Sequence, residues 1–252
     1  MGAGGAGRTT TREIRFDSTN LIVQTAVSMK ISGTSLPKAG NLERIREHLP
    51  DVHKDRHPFK RPDIPTLIRL LSDPASCNRG DALVALAKLG ARSAVPAMIR
   101  RLRDPAWVVR CDAAEALGSV GDPRAVPALR RALESRNQHV RSYVAVALAD
   151  LGDMGSRVRL EQMYRGHNVW DRISATSALY RLTRTPKYLD ELGTFVREAP
   201  RYEMRYAAFH NLKWVMRPGD RSRVKRWLRS ALRAEKDSPG LRKDIRGALA
   251  SL

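Results

Sequence analysis

The sequence predicts an all-α protein built as an α-solenoid, a right-handed or curved stack of about five or six helical hairpins. Alanine, leucine and arginine dominate and aromatic residues make up only 6 % of the chain, a composition that favours helix over strand. Helix-breaking and helix-capping residues recur at a fixed distance. Because a short helical hairpin cannot bury its apolar faces alone, such units must stack to form a continuous core.

The repeat is clearest at its glycines. Gly90, Gly121 and Gly152 are equally spaced and end the phrases ALAKLG, ALGSVG and ALADLG, and Thr183 ends a fourth phrase, ALYRLT, after the same step. Glycine after the last helical residue suits a left-handed C-cap. The same step connects the prolines Pro65, Pro96 and Pro127, the arginines Arg79, Arg110, Arg141 and Arg172 (with a slip of two to Arg205), and the aspartates Asp73 and Asp104, whose place is taken by Ser135 and Gly166.

Each unit divides into two helices. Residues 93–104, SAVPAMIRRLRD, place their apolar side chains on one helical face, and Pro96 falls in the first turn, where a missing amide costs least. Asp104-Pro105 ends this first helix, because proline disfavours helix in the residue before it. Residues 106–120, AWVVRCDAAEALGSV, then supply the apolar face of a second helix.

The spacing of proline, aspartate and arginine resembles that of HEAT repeats: aspartate follows proline by eight residues and arginine follows by six more. Residues 121–133, GDPRAVPALRRAL, are similar to the short HEAT-like repeats of the phycobilisome-lyase type. The resemblance is clear over residues 63–183, degenerate over 184–252 and absent from 1–62. The pattern stands as Pro65/Asp73/Arg79 and Pro96/Asp104/Arg110, and as Pro127/Ser135/Arg141 with the aspartate lost.

The resemblance implies a structural ladder of hydrogen bonds between successive units. Asp73 and Asp104 would pair with Arg79, Arg110 or Arg141 inside the stack. Arg172 is the exception, because the aspartates expected near it are replaced. We expect Arg172 to use Asp171 or to face a ligand.

Residues 1–62 form a predicted N-terminal extension, partly ordered, ahead of a repeat domain at 63–252. The glycine-rich start has no apolar core of the kind that a secretory signal needs, so we expect a cytoplasmic protein. Residues 18–31 fit a helix or a strand, and residues 41–49 a short helix that caps the stack. His48, His53 and His57 lie between prolines without a zinc motif, and a solvated linker explains them better than a metal site.

Catalytic and cofactor motifs are missing from the sequence. His139, His167 and His210 fall in different units, no glycine-rich phosphate loop is present, and Cys77 and Cys111 fit small buried thiols better than zinc ligands or reactive groups. No apolar run reaches the ~20 residues of a membrane-spanning helix. The sequence therefore predicts no catalytic residue, metal, cofactor or membrane insertion.

Positive charge is the remaining functional signal. The chain holds 46 Lys+Arg against 26 Asp+Glu, a net charge of +20. Residues 217–236 are the densest part, with Trp227 among the cations and Trp214 just before them. Arginine beside aromatic rings is typical of nucleic-acid contact, as well as of a solvated helix over core tryptophans. The candidate binding residues are Arg172, Trp214, Arg217, Arg221, Arg223, Lys225, Arg226, Trp227, Arg229 and Arg233.

Three function classes follow. The first is a non-catalytic scaffold or adaptor that binds an acidic partner protein through a concave, basic surface presented by the second helices. The second is a nucleic-acid binder, as in alkylpurine-DNA glycosylases with HEAT-like repeats, and the third is an enzyme similar to the chromophore lyases. Arginines that converge with Trp107, Trp170 or Trp214 on the concave face would favour nucleic acid, whereas arginines scattered over the convex face would favour the scaffold.

Overall fold

The computed structural model describes residues 64–236 and 238–252. The predicted N-terminal elements, the His48–His53–His57 segment and the boundary at residue 62 lie outside these ranges. Within them the chain forms twelve α-helices and no strand, arranged as six helical hairpins. The predicted fold class and the expected number of hairpins are confirmed.

Each hairpin consists of a first and a second helix, and the second helix is the longer one in the first five hairpins. The first helices are α1 (Ile64–Leu70), α3 (Val95–Arg101), α5 (Val126–Ala132), α7 (Arg157–Arg165), α9 (Pro186–Glu198) and α11 (Arg221–Ala234). The second helices are α2 (Ser76–Lys88), α4 (Trp107–Val120), α6 (Gln138–Asp150), α8 (Val169–Thr183), α10 (Tyr202–Val215) and α12 (Pro239–Ser251). Short 3-10 turns at Arg92–Ala94, Pro123–Ala125, Met154–Ser156 and Pro218–Asp220 lead into α3, α5, α7 and α11.

The sequence period is the structural period in the first four hairpins. Their second helices begin at Ser76, Trp107, Gln138 and Val169, at the same constant step as the glycines Gly90, Gly121 and Gly152. The next second helices, α10 and α12, begin later than this step would place them, and the delay is greater for α12. The degenerate part of the sequence is therefore also the irregular part of the stack.

Left-handed residues follow the second helices, as the glycine spacing predicts. Gly90, Gly121 and Gly152 have φ of 58°, 70° and 68°. In the fourth hairpin Arg184 takes this conformation with φ of 57°, one residue beyond Thr183. A side chain in this region carries a strain that glycine avoids.

The core lies between the two layers of helices. Consecutive second helices from α2 to α8 pack directly on one another, because their facing positions are small: Ala113, Ala114 and Ala145 are fully buried. A Cβ on Gly118 would lie 3.0 Å from the Cα atom of Ala147 in the next second helix. The first helices cover this layer with larger side chains such as Met98 and Leu129, which are also fully buried.

Candidate binding surfaces

An arginine near the start of α2 connects the first two described hairpins. Arg79 Nη1 donates to the carbonyl oxygens of Asp73 and Pro74 at 2.8 and 2.9 Å, and its Nε and Nη2 donate to the Asp104 carboxylate at 2.9 and 2.8 Å. The Asp104 side chain is 0 % exposed. Burial raises the pKa of Asp104, but the bonds from Arg79 and the Ala106 amide and the charges of Arg79 and Arg101 together hold the pKa below its usual value. We call an arginine whose Nη1 binds main-chain carbonyls of the preceding turn a rung, closed where the guanidinium also binds a carboxylate and open where it does not.

Two further rungs keep this geometry with different acids. Arg141 Nη1 donates to the Ser135 carbonyl at 2.7 Å, and its Nε and Nη2 donate to the Asp171 carboxylate at 3.0 and 2.8 Å. Arg205 Nη1 donates to the Ala199 carbonyl at 3.0 Å, and its Nε donates to Glu235 at 2.8 Å. Asp171 sits in the first turn of α8, and Glu235 directly follows α11.

The rung at Arg110 lacks a carboxylate. Arg110 Nη1 donates to the carbonyl oxygens of Asp104 and Pro105 at 2.6 and 3.0 Å, but among the described residues no acid contacts its Nε or Nη2. Ser135 occupies the position that Asp104 holds one repeat earlier. Its hydroxyl still accepts the Asn137 amide at 3.3 Å, as Asp104 accepts that of Ala106, but it offers no charge to the arginine.

Asp73 and Arg172 depart from the expected ladder. The Asp73 carboxylate accepts the Ala75 amide at 2.8 Å, and only its main-chain carbonyl contacts Arg79. The expected pairing of Arg172 with Asp171 is wrong, because the Asp171 carboxylate binds Arg141. Its Nη2 donates to Glu191 of α9 at 2.8 Å, and its guanidinium lies 5.1 Å from the centre of the Phe195 ring. Arg172 therefore joins α8 to α9.

The dense basic stretch forms α11, a first helix, and not part of the second-helix layer on which we expected the basic surface. Val224, Leu228 and Ala231 are buried, so the opposite face of α11 points away from the second helices. Arg223 is half-buried, 3.7 Å from Asp190, and Lys225 is half-buried. Arg217, Arg221, Arg226, Arg229 and Arg233 are exposed, and none of them makes an ion pair with a described residue.

The tryptophan rings make other contacts than with the exposed cations of α11, although Trp227 itself belongs to that helix. Trp227 packs against α9, where a Cβ on Gly193 would come 2.5 Å from its ring. Trp214 is covered by the guanidinium of Arg181, 4.3 Å above the ring centre. Trp107 and Trp170, at the starts of α4 and α8, sandwich His139 with ring-centre distances of 5.2 and 6.1 Å. The structure thus does not interleave aromatic rings with the arginines of α11.

A groove of about 570 Å³ separates the first helices α3 and α5. Its floor is apolar, formed by Ile99, Leu102, Ala128 and Ala132. Its polar lining comprises Arg100, Arg103, Arg131, Glu134 and Ser135. Glu134 is bound by Arg159 of α7 at 2.7 Å, whereas the three arginines are exposed and make no ion pair with a described residue. Sequence reasoning missed this groove, because the apolar residues at its floor resemble ordinary core positions.

The second-helix layer carries an acidic cluster formed by Asp81, Asp112, Glu115 and Asp150. Burial, with the Asp81 charge, raises the pKa of Asp112 to about 7, and burial, with Asp112 and Asp150, raises that of Glu115 to about 7. Burial raises the pKa of Asp150 to about 6 although Arg181 opposes this. Asp81 and Asp112 are separated by the step of the repeat, a signal in the sequence that we did not use. The second-helix layer therefore carries this cluster of acids, whereas the first-helix layer carries the exposed arginines of α3, α5 and α11.

The described residues contain no group of three or more histidine, cysteine or acidic side chains placed to hold a metal ion. Cys111 is 3 % exposed, and burial raises the pKa of its thiol. His210 is buried, neither ring nitrogen has a hydrogen-bond partner, and burial lowers its pKa to about 4. Among the described helices, none is long and apolar enough to cross a membrane.

Stacked hairpins joined by arginine rungs define a helical-repeat protein. Residues 95–180 match the family model of HEAT repeats, and the described residues have the fold of a HEAT-like solenoid. The CpcE–CpcF complex of phycocyanin lyase from Nostoc sp. PCC7120 is similar, with 23% identity and a TM-score of 0.56 over 75% of this chain and 82% of that chain.

Two further solved structures show more distant likeness. Human deoxyhypusine hydroxylase in complex with glycerol has 19% identity and a TM-score of 0.47 over 75% of this chain and 86% of that chain. The archaeal HEAT-like repeats protein from Thermococcus onnurineus NA1 has 14% identity and a TM-score of 0.38 over 93% and 96%. The curated proteins contain no significant match.

Proposed function

We propose that this protein is a non-catalytic HEAT-repeat adaptor that binds an acidic segment of a partner protein on the arginine-rich surface of its first helices. One observation carries the proposal: three exposed arginines line an apolar groove on that surface, and none of them makes an ion pair with a described residue. Unpaired cations beside apolar surface suit a ligand that supplies both carboxylates and apolar side chains.

The groove between α3 and α5 supports a polypeptide ligand. Its apolar floor can bury leucine-like side chains, while Arg100, Arg103 and Arg131 can pair with glutamate or aspartate on the same segment. The acid at its rim, Glu134, is engaged by Arg159 and does not cancel the charge of the three arginines. A polypeptide with alternating acidic and apolar residues satisfies both halves of the lining.

The exposed face of α11 supports the same partner. Arg221, Arg226, Arg229 and Arg233 lie along about three turns of one helix and are free to steer an acidic chain toward the first-helix layer. Such charges act mainly on the rate of association and are weakened by salt.

Nucleic acid is the weaker candidate for this surface. Base stacking on aromatic side chains contributes much of the affinity for single strands, and the tryptophans near α11 are packed against α9 or covered by Arg181. The similar phycocyanin lyase structure is a complex of CpcE and CpcF. We extend to this chain the association between proteins and not the chemistry of the lyase.

Fluorescence anisotropy with a short labelled peptide of glutamate and leucine tests the proposal at about 0.15 M salt. Two variants remove cations from the first-helix surface: R100Q/R103Q/R131Q at the groove and R221Q/R226Q/R229Q on α11. The matched control, K88Q/K243Q/R246Q, removes the same charge from exposed positions on second helices. We expect the groove variant to weaken binding by about tenfold, the α11 variant by less, and the control by under twofold.

Two results would contradict the proposal. Absence of peptide binding by the unmodified protein excludes an acidic protein segment as the ligand. Tighter binding of a labelled DNA duplex than of the peptide, with affinity falling steeply and linearly on a log–log salt plot, assigns the surface to nucleic acid instead.

A further inference from the structure

The open rung at Arg110 lies beside the groove between α3 and α5. Ser135 lines this groove and stands where the preceding repeat has Asp104, the carboxylate that Arg79 binds. Replacing aspartate by serine removes the carboxylate and leaves room for another. The groove therefore lies beside the rung that lacks a carboxylate, the rung of Arg110.

Arg110 is prepared for a carboxylate. Its Nη1 is fixed by two main-chain carbonyls, at 2.6 and 3.0 Å, in the same way as Nη1 of Arg79 and of Arg141. In both of those rungs the remaining edge of the guanidinium, Nε and Nη2, binds a carboxylate through two bonds. A guanidinium held in place loses little conformational freedom when it binds an acid, and its planar edge matches a carboxylate.

We propose that a carboxylate from the acidic partner enters the groove and completes the Arg110 rung in place of the missing ladder aspartate. The inference rests on the proposed function, because it names the atoms that recognise the acidic segment. Arg103 and Arg131 would hold neighbouring acids of the same segment at the rim. The Arg110 rung thereby becomes the specific contact, and the exposed arginines supply general attraction.

The variant S135D tests this directly, since it supplies the missing carboxylate from the chain itself. We expect S135D to raise the thermal unfolding temperature and to weaken binding of the labelled glutamate–leucine peptide by about tenfold. A variant that is more stable than the parent cannot lose binding through unfolding. The control S119D adds the same charge at an exposed position on α4 and should change the affinity by under twofold.

The second variant, R110Q, removes the guanidinium and should weaken peptide binding to the same extent as S135D. In the unmodified protein, the ¹H–¹⁵N signal of Arg110 Nε should shift when the peptide is added, as it enters a charged hydrogen bond. Unchanged affinity in S135D, or an equal loss in S119D, overturns the assignment to Arg110. If the unmodified protein fails to bind the peptide, the proposed function itself is wrong.

Discussion

The first four hairpins, residues 64–183, and the last two, residues 186–251, build the same rung from different sequences. In the first region the second helices recur at one constant step, whereas in the last region the steps are longer and unequal. Yet Arg79, Arg141 and Arg205 each bind the carbonyl six residues before them. The constant feature of these rungs is therefore the hydrogen bond from the arginine to a main-chain carbonyl of the preceding turn. The spacing between units and the source of the carboxylate vary around it.

The largest expected effect comes from breaking closed rungs in both regions. Arg79→Gln leaves the buried Asp104 carboxylate without its guanidinium and should lower the free energy of unfolding by about 3 kcal/mol. Arg205→Gln should cost a similar amount through Glu235, whose side chain is 2 % exposed. Arg110→Gln loses only contacts to carbonyls and should cost about 1 kcal/mol. Urea unfolding followed by circular dichroism measures all three.

The exposed Arg226→Gln serves as the control for these rung variants and should change the free energy of unfolding by less than about 0.5 kcal/mol. Equal losses in Arg79→Gln and Arg110→Gln would show that the carboxylate adds nothing to the rung. A loss in Arg205→Gln no greater than that in Arg226→Gln would show that the irregular region does not depend on its rung.

The two regions should also respond to pH in opposite directions. In the first region the folded-state pKa values of Asp112 and Glu115 are raised to about 7 from 3.8 and 4.5. This stabilising contribution is fully present below about pH 4 and is lost as the pH rises through 7. Asp112→Asn should therefore raise the free energy of unfolding by about 2 kcal/mol at pH 8 and by little at pH 4. The control Glu198→Gln, at an exposed position, should change the free energy of unfolding by less than about 0.5 kcal/mol.

In the last region His210 acts in the other direction. Its folded-state pKa is lowered from 6.5 to about 4 by burial and by Lys213, against the opposing charge of Asp244. The unfolded chain takes up this proton first, so stability is lost as the pH falls from 6.5 to 4, by about 2 kcal/mol. Urea unfolding of His210→Leu should lack this loss. A variant that loses stability over this pH interval as the parent does would exclude His210 as its source.

The sequence predicts a rung only where its acid stands at the aspartate position of the proline–aspartate–arginine pattern. The proline–aspartate–arginine spacing led to Arg79 and Asp104, which are in contact. It could not lead to Asp171 or Glu235. The acid that binds Arg141 comes from the first turn of a second helix, and the acid that binds Arg205 comes from a linker. Local loop geometry decides between these positions, and sequence spacing alone does not reveal it.

Placement of charge was harder to predict than helix position. Val224 and Leu228 at helical spacing identify α11, but the layer that α11 joins depends on how the irregular linkers before it divide into hairpins. The acidic cluster follows the step of the repeat visibly from Asp81 to Asp112. Its burial depends on the close approach of second helices, which follows from alanine packing across repeats and not from the acids themselves.

The smallest expected effects concern the left-handed residues that end second helices, glycine in the second hairpin and arginine in the fourth. Gly121→Ala should lower the free energy of unfolding by about 1 kcal/mol. An added Cβ meets no atom within 4 Å, so backbone strain alone accounts for the loss. Arg184, which has the same left-handed conformation, already bears this strain.

Arg184→Gly should therefore raise the free energy of unfolding, but by only about 0.5 kcal/mol, because the relief of strain is offset by the greater freedom of glycine in the unfolded chain. Loss of the guanidinium 5.5 Å from the centre of the Tyr180 ring reduces the gain further. Arg184→Ala keeps the strain, removes the contact with Tyr180 and should be less stable than the parent. If urea unfolding shows Arg184→Gly to be as destabilised as Arg184→Ala, the Tyr180 contact outweighs the strain. The fourth hairpin then ends in arginine because the side chain is needed there.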